Sequence, residues 1–456
     1  MIYWDPIDTT IVIAGGLAAM ACAIPGVWLV LRRQSMMGDA ISHTALPGVV
    51  IAVLGSHAIA NAFGGATVST AAEPILLLIG AVTIGVLTAL LTEWVQKLGQ
   101  VEASAALGVV FTSFFALGIL LLRLKADQAD LDPECVLFGQ LELIVWDLVD
   151  VAGLSISRPF LVNGVALLVN LALVCLFFKE LRISAFDPDM ATVQGINARV
   201  VNYSLMAATA ATVVLAFQSV GSILVIGLLI VPAATSVLLT DRLVPMFLIS
   251  LFVAALSAAL GHVLAITVSP ALFRAVGFSE VTDLAASGMM AVVCGGIFLI
   301  AFLLSPTHGL VGKIVSRIRL RLRIAADDIL STVYRFEEQS DGKPASTEQV
   351  SRETKWIPPF EKRFVISRLQ RHGLVNVEKE LLSLTDAGRV RATGLIASHR
   401  LFESYMDKHF DLPADHLHET AHFVEHFLDE EMRSQIKDEL QSPNVDPHGR
   451  RIPDST

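Results

Sequence analysis

Asp39 and His43 lie four residues apart in the stretch LRRQSMMGDAISHTALPGV, which begins at Leu31. A continuous helix puts both on one face about one turn apart. The segment is otherwise composed for lipid, where an ionisable residue is costly enough to mark a functional site. A carboxylate oxygen and a neutral imidazole nitrogen suit zinc-like and manganese-like cations, so the pair reads as half of a divalent-cation site. The alternative is a helix start, with Asp39 as a cap beside Gly38 and His43 as a satisfied polar contact. A denser constellation stands near the C-terminus in HETAHFVEH, where His418, His422, Glu425 and His426 fall at i, i+4, i+7 and i+8 on one helical face. His399 and Glu403 repeat the i, i+4 arrangement one helix earlier, and Asp328 stands on a helix further upstream. A solvated polar face accounts for the acids but not for so many imidazoles.

Two regions of different composition position these groups. Residues 1–310 hold 11 Lys+Arg and 19 Asp+Glu, and the remaining 146 residues hold 22 and 24. This contrast predicts a membrane domain followed by a soluble one, and the near balance of the second region leaves no cationic surplus for nucleic acid. Apolar runs near 9–31, 40–57, 74–94, 103–123, 160–178, 200–217, 219–240, 244–268 and 284–305 are each long enough to cross roughly 30 Å of hydrocarbon. They predict an all-α polytopic domain of about nine transmembrane helices. Arg32, Arg33, Lys97, Lys179, Arg182, Arg199, Arg242 and the basic run after 312 fall at alternate ends of these spans. The positive-inside rule then puts the N-terminus outside and the C-terminus in the cytoplasm. The N-terminus lacks the positive n-region of a signal peptide, so the first run reads as a retained span. The four cysteines form no CxxC pair and predict no disulfide framework.

The loop 124–159 then faces outward. Its acids Asp127, Asp130, Asp132 and Glu134 read either as a solvated run or as an entry surface for a cation delivered from outside. The inner stretch FDPDMATVQGINARV, Phe186 to Val200, is a connection or a short helix against which a cytoplasmic partner pushes. Gly221, Gly227 and Pro232 follow in a small-residue-rich stretch of the kind that packs closely in a bilayer. No GxxxxGK[ST] phosphate loop occurs, so no nucleotide is expected on this chain. Residues 306–324 alternate basic and apolar side chains, as a juxtamembrane segment resting on anionic headgroups does. Beyond them come an amphipathic helix containing DDILSTVYRFEE, two further helices and a β-hairpin, the order of a winged helix. Pro358 and Pro359 open its third helix and Gly373 closes it.

Several motifs carry family resemblances. LRRQSMMGDAISHTALPGV, VEASAALGVVFTSFFALG, DLDPECVLFGQLE, FDPDMATVQGI and QSVGSILVIGLLIVPAATSVLL occur in the order of the permeases of ABC importers for manganese, zinc or iron, and the membrane region resembles them over nearly its whole length. The resemblance implies that Asp39 and His43 line the cation path, with Glu102 near an acidic path position. It also implies that the loop bearing Asp187, Pro188, Ala191 and Gly195 contacts a separate ATPase. The implied partners are that ATPase, an extracytoplasmic metal-binding protein and a second permease chain, identical or related, in the inner membrane of a bacterium. From about Ala325 to Pro453, the pieces DDILSTVYRFEE, RLQRHGLV, LTDAGR, HRLFE, HETAHFVEH and DPHGRRIP resemble metal-dependent repressors of the diphtheria-toxin-repressor type. By position this implies metal ligands at Asp328, His422, Glu425 and His426, with His399, Glu403 and His418 matching an ancillary site. The chain departs from that pattern at His422, where family members often carry Cys or Glu. It departs again in the DNA-reading helix, whose first turn carries two prolines and Glu361, a poor fit to phosphate.

The expected organisation is a permease domain at 1–305, a basic linker at 306–324, a winged helix at 325–386 and a helical metal-binding domain at 387–456. The expected function is import of a divalent cation, with manganese placed before zinc and iron, governed by a cytoplasmic metal sensor. The rival is a membrane-tethered regulator whose winged helix binds operator DNA.

Overall fold

The computed structural model describes residues 4–62, 73–125, 141, 146–151, 154–275, 285–410, 420–422 and 424–453. The chain forms two compact units, Met1–Gly312 and Lys313–Thr456. The first is built from α1 (Pro6–Leu31), α2 (Ser35–Ala62), α3 (Glu73–Gly99), α4 (Ala103–Lys125), α5 (Arg158–Leu176), α6 (Phe178–Phe186), α7 (Pro188–Val193), α8 (Ala198–Val220), α9 (Ser222–Leu239), α10 (Leu243–Ala275) and α11 (Ala286–Leu304). Among the described residues, α1, α3, α4, α5, α8, α10 and α11 are long and apolar enough to cross a membrane. Helices α2 and α9 occupy the other two of the nine apolar runs. An antiparallel hairpin, β1 (Leu148–Val151) with β2 (Leu154–Ser157), precedes α5. Period-two alternation over four residues is too short a signal to have announced it.

Backbone chemistry explains how these helices meet. Pro25 lies inside α1 and has no N–H, which leaves the carbonyl four residues earlier without its helical donor. Asn170 of α5 supplies one, donating from Nδ2 to the Ala21 carbonyl at 3.0 Å and to Thr212 Oγ1 of α8 at 2.8 Å. Glycines set the closest approaches. A β-carbon at Gly26 of α1 would stand 1.8 Å from the Leu229 carbonyl oxygen of α9, and one at Gly38 of α2 would stand 2.3 Å from a Leu229 methyl. Gly221, at φ +87°, breaks the chain between α8 and α9, a conformation that favours glycine.

The second unit contains most of α12 (Leu310–Gln339), then β3 (Ala345–Ser346), α13 (Thr347–Glu353), α14 (Pro359–Arg371), β4 (Val375–Glu378), β5 (Leu381–Leu384), α15 (Asp386–His409) and α16 (Glu430–Glu439). The three strands pair in the order β3-β5-β4. Lys379 and Glu380, both at positive φ, make the two-residue turn between β4 and β5, as the right-handed twist of a hairpin prefers. Ile329, Leu330, Val333, Val350, Val365, Leu369 and Leu382 close the core beneath this winged helix. The expected linker and first winged-helix element are one continuous helix here, because nothing between Leu310 and Gln339 breaks the 3.6-residue pattern.

Gly26→Ala therefore forces α9 off α1 and is expected to lower the melting temperature of the purified chain, at the ~1–3 kcal/mol cost of overpacking. Gly227→Ala, whose added β-carbon meets nothing within 4 Å, is expected to melt like the parent. Equal melting of the two variants contradicts this packing.

Candidate functional site

Helix α2 begins at Ser35, one turn before Asp39, so Asp39 is interior to the helix rather than its cap. His43 Nε2 stands 3.5 Å from Asp39 Oδ1, both side chains about one third exposed. The His43 ring lies stacked against Phe111 and edge-on to Phe115 of α4, at centroid separations of 6.0 and 5.5 Å. The pair thus presents an oxygen and a nitrogen on one face beside an aromatic wall, two of the donors that a divalent cation needs. Glu102 is exposed between α3 and α4. Asp130 and Asp132 lie outside the described residues, with Asp127 and Glu134.

The Phe186–Val200 stretch forms a short helix with defined ends. Asp187 caps α7, accepting from the Met190 amide at 2.9 Å, and Pro188 occupies its first turn. Ala191 is buried beneath it, and Gly195 ends the turn at φ +82°. Phe186, Met190 and Val193 are exposed, so this capped helix turns apolar side chains outward.

The denser constellation converges in the second unit. One donor atom from each of Asp328, His422, Glu425 and His426 lies within 4.8 Å of the others. Helix α12 supplies Asp328, the helical residues 420–422 supply His422, and the turn at 425–427 supplies Glu425 and His426. The neighbouring Asp327 is shared, its Oδ1 accepting from Arg391 at 2.7 and 3.2 Å while its Oδ2 stands 3.9 Å from His426 Nδ1, so Asp328 is the nearer acid to His426. His426 Nε2 stands 3.1 Å from Asp328 Oδ1, and His422 Nδ1 stands 3.3 Å from Glu425 Oε1. Among the described residues, buried Asp328 Oδ1 and Glu425 Oε1 accept no hydrogen bond of proper geometry, which leaves lone pairs for the shared space. That donor set fits one divalent cation bound by oxygen and nitrogen.

Electrostatics agree with this fit. Burial works against the charged form of Glu425, but the close imidazoles of His399 and His422 outweigh it and hold its pKa down at about 2. Burial likewise disfavours protonated His426, yet Asp327, Asp328 and Glu425 bring its pKa up to about 9. A proton therefore sits on His426 where a cation would compete for it. His399 lies behind the cluster, its Nδ1 2.6 Å from Glu425 Oε2 and its Nε2 3.0 Å from Glu403 Oε1. His448 approaches Glu403 at 4.0 Å, and His418 is outside the described residues.

Sequence reasoning missed Trp356. From the loop before α14, its Nε1 donates to Asp328 Oδ2 at 2.8 Å, tying a carboxylate of the cluster to the start of the DNA-reading helix. Only the folded chain brings positions 28 residues apart into contact, so no spacing rule pointed to it.

A polytopic helical unit joined to a winged helix with a His/carboxylate cluster defines the class, and the comparisons agree with it. The family model described as ABC 3 transport family matches residues 7–305, and the chain belongs to that family. The model described as iron dependent repressor, metal binding and dimerisation domain matches residues 385–454. The manganese transport system membrane protein MntD of Bacillus subtilis is 36% identical over 67% of this chain and 95% of its own length. The zinc transport system membrane protein TroD of Treponema pallidum is 33% identical over 83% of this chain and 96% of its own length. A match over 83% of the chain is longer than the first unit, so it must run into the second. Among solved structures, PsaBC from Streptococcus pneumoniae in complex with Fab matches at a TM-score of 0.51 and 26% identity, over 67% of this chain and 94% of that one.

Trp356→Phe keeps the ring and removes the donor to Asp328, and is expected to weaken divalent-metal binding to the full chain roughly tenfold, the low end for loss of an outer hydrogen bond. Unchanged affinity in a calorimetric titration overturns that role. Because a cation ligated by His426 would have to displace its proton, affinity is expected to rise up to roughly tenfold per pH unit until about pH 9 and then level off. A flat profile between pH 7 and 9 is the contrary result.

Proposed function

We propose that this chain is the permease subunit of an ATP-driven importer of divalent metal cations, manganese before zinc or iron, in the inner membrane of a bacterium. The observation that carries the reading is the Asp39–His43 pair, an ionisable oxygen and nitrogen on one face of α2 in a chain of the ABC 3 transport family. An extracytoplasmic metal-binding protein hands the cation to the outer mouth, Asp39 and His43 hold it in passage, and a second permease chain completes the channel. ATP is hydrolysed on a separate subunit, which bears on α7 through exposed Met190 and Val193. Two relatives named for manganese and zinc transport support this choice of cargo.

In the same reading the second unit is a cytoplasmic metal sensor. Asp328, His422, Glu425 and His426 hold the sensed ion, with His399 and Glu403 and the sequence-assigned His418 serving an ancillary position. Filling this site slows import. A second reading, a membrane-tethered regulator that binds operator DNA, draws on the complete winged helix. The exposed Phe360 and the acid Glu361 at the start of α14 weigh against it.

Asp39→Ala is expected to reduce manganese uptake by cells carrying the whole transporter to background while the protein stays in the membrane at normal amount. Undiminished uptake rejects Asp39 as a path residue. Glu425→Gln is expected to leave basal uptake intact and abolish its decline after cells are preloaded with manganese. A variant that still shuts down like the parent rules out the sensor assignment.

A further inference from the structure

The apolar stripe of α12 continues upstream of the core that it serves. Ala325, Ile329 and Val333 are buried, and the same helical face runs back through Leu322, Ile318, Val315, Ile314 and Val311, the last four of which are exposed. Flanking them are Lys313, Arg317, Arg319, Arg321 and Arg323, with no acidic residue between 310 and 323. Arg321 Nε pairs with Glu361 Oε2 of α14 at 3.1 Å, which brings the start of α14 alongside. There Trp356, Phe360 and Phe364, spaced by four, are 44, 83 and 44% exposed. Between the two helices opens a cleft of about 700 Å³ whose aliphatic floor includes Leu320 and Leu369, rimmed by Arg319, Arg368, His372 and Arg391.

We propose that this composite face docks on the anionic headgroups of the membrane surface, with aliphatic and aromatic side chains at the interface and lipid phosphates in the arginine-rimmed cleft. Three observations select lipid. A helix with an apolar stripe and a basic flank lies in the plane of an interface, and clustered basic residues next to a membrane segment are drawn to anionic lipid. Exposed aromatic rings partition to headgroup depth, whereas a helix that reads DNA presents polar side chains to base edges. The stretch is also close to the bilayer in sequence, since α12 begins six residues after α11 ends. Docking rests on the proposed function only for which side of the membrane the second unit occupies.

The test is hydrogen–deuterium exchange on the full chain in nanodiscs of phosphatidylcholine alone or with one part in three of phosphatidylglycerol. Both leaflets then carry the same lipid, so a failure here is separable from an error in orientation or cargo. The expected result is that amides in 310–323 and 357–364 exchange roughly fivefold or more slowly with the anionic lipid, as the attraction of a single basic residue would give, and that about 1 M salt removes the difference. Arg317→Glu with Arg319→Glu, or Phe360→Ser with Phe364→Ser, is expected to abolish it while α15 stays protected. Equal exchange in the two lipids overturns the proposal. So does slowing by a double-stranded oligonucleotide in phosphatidylcholine nanodiscs without any response to phosphatidylglycerol.

Discussion

The contact of α9 with α1 and α2 at Leu229 is the constraint on which the first unit depends. Lipid tails are as apolar as leucine, so helices in a bilayer associate through close packing and internal polar bonds rather than through hydrophobic exclusion. Gly26 and Gly38 permit that approach from two different helices to the same residue. Asp39 follows Gly38 directly, so this packing holds the backbone of α2 at the residue that carries the carboxylate. Asn170 works with the same economy, since one side chain satisfies the carbonyl exposed by Pro25 and joins α1 to α5 and α8. An unsatisfied backbone group in hydrocarbon costs several kcal/mol, which makes that amide structural rather than incidental.

Charge balance is the corresponding constraint in the second unit. Buried carboxylates at Asp328 and Glu425 repel one another unless positive charge lies between them, and His426 supplies it as an imidazolium. The signs of linkage follow. The raised His426 pKa contributes stability that is complete below about 6.5 and is lost as pH climbs through about 9, whereas the lowered Glu425 pKa contributes stability present above about 4.5 and lost as pH falls through about 2. Without metal the cluster is therefore most stable in mildly acid solution, where protons stand in for a cation. Arg391 pairs with one oxygen of Asp327 and offsets part of its charge, while the other oxygen stands 3.9 Å from His426.

Long periodic elements were legible in the sequence. Among the described residues each of the nine apolar runs is helical over most of its length, and the winged helix keeps its expected order, because 3.6-residue periodicity, caps and turn residues act locally. The convergence of Asp328 with the HETAHFVEH face was legible through resemblance; spacing alone joined His422, Glu425 and His426 but could not reach Asp328, some ninety residues away in sequence. The hairpin before α5 was hidden by its brevity. The unbroken α12 was obscured by a change of surroundings, since the same stripe is exposed in its first half and packed in a protein core in its second. Trp356 and the Asn170 bridge are products of tertiary contact that no periodic pattern records.

Trp356 belongs to two environments at once. Its indole nitrogen is bound to Asp328, and nearly half of its surface is exposed beside Phe360 and Phe364. If the cluster takes a cation as proposed, Asp328 must divide its lone pairs between metal and indole, and the loop carrying Trp356 sets the start of α14. A shift there moves the aromatic face and, through Glu361, the basic half of α12. The two states would differ in contact free energy at both places, which is the requirement for one site to bias another. An ion in the cluster would then act on the proposed docking face of α12 and α14 through the Trp356–Asp328 hydrogen bond.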